Sequence, residues 1–77
     1  MKGQVTKIMQ RETKDGPTFM ITFALEDGKS ARAWVVKRFG NYTRWAPIIN
    51  KGKGTAVEGL VLKGKSLINA DSFIKKC

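Results

Sequence analysis

The octapeptide TFMITFAL, Thr18 to Leu25, alternates without a break between large apolar residues (Phe19, Ile21, Phe23, Leu25) and a mixed set (Thr18, Met20, Thr22, Ala24). Successive side chains on a strand point to opposite faces, so a period of two describes a strand with one face buried and the other turned outward. Turn formers bracket it. Lys14-Asp15-Gly16-Pro17 precedes it, pairing a glycine that tolerates positive φ with a proline that fixes its own φ, and Glu26-Asp27-Gly28-Lys29 follows. A strand enclosed in this way is predicted to pair with its sequence neighbours as an antiparallel meander.

The neighbours fit that role. In GQVTKIMQRET, Val5 and Ile8 stand three apart, a spacing that breaks strict alternation and predicts a long first strand carrying a bulge or bend. After the second turn, ARAWVV reads as strand three, with Ala31, Ala33 and Val35 on one face and Arg32, Trp34 and Val36 on the other. The period is lost beyond Lys37. Asn41 to Asn50 reads as a loop with a helical turn at most, ended by Gly52 and Gly54, whose Trp45, Ile48 and Ile49 would plug one end of the core. TAVEGLVLKGKSLINADSFI then supplies two more strands around a tight hairpin at Lys63 to Lys65, with Gly59 marking a bulge or a close backbone approach.

A chain of 77 residues makes one domain, residues 1–77, and is too short for two stacked sheets. The expected fold is therefore all-β: a small five-stranded barrel, closed or partly open, with a short helical turn between strands three and four. Closure would remove the edges that short strands otherwise expose.

Charge narrows the function. Fifteen Lys and Arg against six Asp and Glu give +9, a field that attracts polyanions before any specific contact forms. A membrane surface is a poor match, because binding one calls for a basic amphipathic helix and the chain reads as almost helix-free. No stretch approaches the roughly 18 apolar residues of a membrane span. MKGQVTKIMQ lacks the apolar run of a secretory signal, which makes a cytoplasmic location the expectation. Catalysis is not expected. There is no His and a single Cys, Cys77, and the adjacent carboxylates Glu26 and Asp27 sit in a turn. The same inventory calls for no metal, no cofactor and no small-molecule substrate.

Taken together, VTKIMQRETKDGPTFMITFALEDG, the aromatic-bearing third strand, the irregular segment and VEGLVLKGKSLINADSFIKK resemble the OB-fold family of nucleic-acid binders over nearly the whole chain. The likeness is to the OB domains of bacterial replicative polymerase alpha subunits, of replication protein A and of the anticodon-binding domains of some tRNA synthetases. That resemblance implies a ligand lying across strands two and three, flanked by the loops joining strands one and two (Glu12 to Pro17) and strands four and five (Lys63 to Lys65). In such a barrel Lys14, Lys63 and Lys65 would flank one groove with Arg11 at its base, and Glu26 and Asp27 would lie in the opposite turn.

Trp34, if the alanines beside it point inward, stands outward next to Arg32, where a base can stack. Tyr42 is a candidate at the groove's edge, with Lys37 and Arg44 as nearby cations. Trp45, Phe39, Phe19, Phe23 and Phe73 are expected in the core. The expected function is sequence-independent binding of single-stranded nucleic acid, DNA ahead of RNA, in replication, recombination or repair. The alternatives are an SH3-like basic barrel that binds duplex DNA or structured RNA, and an OB module that docks on a replication protein.

Overall fold

A computed structural model describes residues 1–40 and 42–69 and the backbone of 75–76. Strand β1 (Gly3–Thr13) turns through Lys14 and Asp15 into β2 (Gly16–Leu25), and β2 turns through Glu26 to Lys29 into β3 (Ser30–Val36). Helix α1 (Tyr42–Lys51), β4 (Ala56–Glu58) and β5 (Lys75–Lys76) complete the order. The five strands form one mostly antiparallel-paired sheet in the order β3-β2-β1-β4-β5.

The meander follows the turn chemistry. Gly16 takes φ 96° and Gly28 φ 88°, both in the left-handed region where a side chain is strained. In the first turn, Thr13 Oγ1 donates to the Gly16 carbonyl at 2.9 Å and accepts from the Asp15 amide at 3.2 Å. In the second, the Lys29 amide donates to Asp27 Oδ1 at 3.0 Å. The expected bulge lies between Val5 and Lys7, where the β1–β2 register skips Thr6. The extra residue brings Val5 and Ile8 to the same face, and Thr6 Oγ1 donates to the Thr22 carbonyl at 3.2 Å. Before the bulge β1 also serves the second half of the sheet, with Gly3 opposite Val57 and Gln4 opposite Ala56.

One face of the sheet curls around the core. Ile21, Phe23, Ala31, Ala33 and Val35 from the meander meet Trp45 and Ile48 from α1 and Val57, Leu60 and Ile68 from the C-terminal half, all buried. Phe23 and Trp45 meet at 6.1 Å between ring centroids. Gly3 is needed for space here: a Cβ would come within 2.9 Å of Leu60 Cδ1.

Four expectations change. Residues 42–51 form a full helix rather than a turn. Tyr42, Trp45, Ile48 and Ile49 recur at helical spacing, and tertiary burial of that stripe overrides Pro47 within it. Gly52 stops the helix with φ 81° and an amide donating to the Ile48 carbonyl at 2.9 Å.

The regular ladders do not close into a five-stranded barrel. β4 has three residues and β5 two, and Gly59 (φ 87°) ends β4 immediately after Glu58, so the strands form an open sheet. Around Gly64 (φ 105°) there is a tight turn, with Leu62 bridged to Ile68 and the Lys63 amide donating to the Leu67 carbonyl at 2.6 Å, but no strand-length hairpin. Of the expected fifth strand, residues 70–74, Phe73 included, lie outside the described residues. Finally, Phe39 is 49% exposed instead of buried, because the chain turns away from the sheet directly after Val36.

Residues 66–68 run alongside the outer edge of β3. The Arg32 amide donates to the Ser66 carbonyl at 2.9 Å and the Ile68 amide to the Arg32 carbonyl at 2.7 Å, a parallel bridge centred on Leu67. No helix among the described residues is long and apolar enough to cross a membrane.

Candidate functional site

The site lies on the sheet face opposite the core. On β1 past the bulge, Lys7, Met9 and Arg11 alternate with the core-facing Ile8; on β2 the same side carries Met20, Thr22 and a buried Thr18; on β3 it carries Arg32, Trp34 and Val36. The register aligns these into three rows across the strands: Arg11–Thr18–Val36, Met9–Met20–Trp34 and Lys7–Thr22–Arg32. The parallel bridge adds Leu67 to the last row, 37% exposed. The middle row is apolar, and the rows on either side carry Arg11, Lys7 and Arg32, all exposed. No carboxylate belongs to these three rows.

Trp34 is 43% exposed. Its backbone is fixed while its ring is open. Arg32 spends both its amide and its carbonyl on residues 66–68, so residues in phase with it turn their backbone polar groups away from β2. Met20 and Trp34 therefore face each other as a non-hydrogen-bonded pair, the closer of the two antiparallel pair types for side chains. The half-buried Met20 and Met9 form a polarisable floor next to the indole.

Farther along the same face, Ala56, Gln4 and Ala24 align as a row, the glutamine between two alanines. They line a shallow depression of about 350 Å³ together with Lys2, Gly3, Leu25, Glu26 and Val57. Glu26 is engaged there, accepting from the Lys2 amide at 3.1 Å.

The sequence-derived candidates divide. Arg11, Arg32 and Trp34 come together on the outward face. Lys14 sits at the β1–β2 hairpin tip, beside the ion pair that Arg38 makes with Asp15 at 3.6 Å. Lys63 and Lys65 occupy the turn leading into Ser66 at the Arg32 level of β3, whereas the Lys14 hairpin extends past Val36, the partner of Thr18. At ~3.3 Å per residue, Arg32 and Val36 are about 13 Å apart. The two basic turns thus bracket β3 lengthwise and are not side by side. Tyr42 is on the core side, stacked on Phe19 at 5.7 Å between centroids, with Lys37 Nζ 6.0 Å from its ring centre, so it does not share the face with Trp34. Arg44 is exposed on α1. Lys7, Met9 and Met20 escaped the sequence reading. Alternation carried past the bulge and applied to the mixed face of β2 identifies all three.

Comparison with models of known protein families, with curated proteins and with solved structures finds no match.

Chemically, the face offers separated cations, one solvent-open aromatic and an apolar strip between the charges. That combination suits a ligand whose anionic groups alternate with flat apolar ones. Salt screening would weaken the charged part and leave the apolar part in place.

Proposed function

We propose that this chain binds single-stranded nucleic acid, DNA ahead of RNA and with little sequence preference, and acts in the cytoplasm in replication, recombination or repair. The observation that carries the reading is the solvent-open Trp34 at the end of an apolar row flanked by Lys7, Arg11 and Arg32 with no carboxylate in those rows. Bases stack on Trp34, Met20 and Met9 extend the apolar floor, and the three cations neutralise phosphates, with Lys14, Lys63 and Lys65 serving the two ends. Binding, not catalysis, is the activity. An OB-like relationship is part of the proposal. It is supported by the order meander, helix, short strand and tight turn, and by the parallel bridge that brings residues 66–68 to the edge of β3.

The test is tryptophan fluorescence during titration with oligothymidylate at low and then moderate salt. Trp45 is fully buried and Trp34 open, so quenching by a stacked base reports on Trp34. Salt-sensitive quenching that disappears in a folded Trp34→Phe variant bearing only Trp45 supports the reading. An unchanged signal from the folded wild type removes it and favours duplex DNA or a protein as the ligand.

A further inference from the structure

Phe39 is the other exposed aromatic among the described residues, at 49% against 43% for Trp34. Its position is fixed. The Phe39 amide donates to the Val36 carbonyl at 3.0 Å and its carbonyl accepts from the Tyr42 amide at 3.0 Å, so the backbone is held from the end of β3 and from the start of α1. An apolar ring of this size left in water by a rigid backbone contributes little to the core. Its surroundings are basic: the Arg38 guanidinium lies 5.4 Å from the ring centre, and Lys37 and Lys14 flank the same end of β3. Asp15, the nearby carboxylate, is occupied by Arg38. Three residues of extended strand separate Trp34 from Lys37, about 10 Å at ~3.3 Å per residue.

We infer that Phe39 is a second stacking position, so that single-stranded nucleic acid runs lengthwise along β3 from the Lys63–Lys65 turn, over Trp34, to the hairpin end. This deepens the proposed function and rests on it. Stacking on an aromatic ring tolerates any base, and a rigid ring adds affinity at small entropic cost. The geometry makes a prediction about length: a ligand too short to reach past Trp34 does not sense Phe39.

The experiment measures binding of oligothymidylates of about 2 nucleotides, which at ~3.4 Å per stacked nucleotide cannot bridge the ~10 Å beyond Trp34, and of about 16, the upper end of the usual range of site sizes, by anisotropy of a dye on the oligonucleotide. Wild type is compared with Phe39→Ala, Phe39→Leu and Phe39→Tyr, each checked for folding by circular dichroism. The expected result is that Ala and Leu weaken the longer ligand by about 5-fold or more, leave the shorter one within error, and that Tyr restores wild-type binding. Equal affinity of Phe39→Ala and wild type for the longer ligand overturns the inference while leaving the Trp34 reading intact. Rescue by Leu also overturns it, since an aliphatic side chain supports Arg38 but does not stack. Failure of the wild type to bind either length overturns the parent reading and this one together.

Discussion

Two tryptophans eleven positions apart have opposite roles because of where strand and helix periods place them. Trp34 is outward on β3 and Trp45 is inward on α1, with no exposed surface. Trp34→Ala is expected to leave the unfolding midpoint nearly unchanged and to weaken binding of a labelled oligothymidylate by about 5- to 150-fold, the equivalent of one lost stack of ~1–3 kcal/mol. Trp45→Ala is expected to destabilise the fold by about 3–5 kcal/mol, read from urea denaturation, since it removes the largest buried side chain. Gly3→Ala would force Leu60 from its place under β1. Overpacking of this sort costs roughly 1–3 kcal/mol, and a companion Leu60→Val should recover part of it.

Helix α1 exists in spite of its sequence. Its first turn has no acidic residue, Pro47 lies inside it, and only Lys51 in the last turn complements the dipole. Burial of Trp45 and Ile48 supplies what local propensity does not. Replacing Pro47 with Ala is therefore expected to stabilise the protein by about 1–3 kcal/mol, seen as a higher urea midpoint at constant m-value. No gain would mean that the helix already accommodates the proline ring and that the fixed φ offsets the missing donor. The hairpins behave in the opposite way. Their turns were readable residue by residue because Gly16 and Gly28 occupy backbone conformations that few other residues accept.

For the molecule as a whole, the relevant quantity is the distribution of +9 over a small surface. If four or five phosphates are neutralised along β3, log K should fall with log salt at a slope of about −3, near −0.7 per phosphate. Arg32→Gln is expected to reduce the slope by about 0.7, whereas Lys51→Gln, on the far side of the core at the end of α1, should leave it unchanged. A slope equal in both variants would show that net charge, rather than this face, does the attracting.

Local patterns settled the meander, its two turns, the bulge after Val5 and the inward and outward faces of β3, because a period of two and a glycine at positive φ are properties of short stretches. They also placed Arg32 and Trp34 on one face. Only the tertiary structure decided that residues 42–51 are helical, that β4 stops at Glu58, that Phe39 remains in solvent and that the basic turns lie at opposite ends of β3. Each of these depends on contacts between residues distant in the chain. Trp45 buries against Phe23 and outweighs a proline, and Arg32 pairs with Ser66 and Ile68 and thereby fixes which end of β3 receives Lys63 and Lys65. The rows Met9–Met20–Trp34 and Lys7–Thr22–Arg32 belong to both levels: alternation selects the residues on each strand, and the register across strands brings them together.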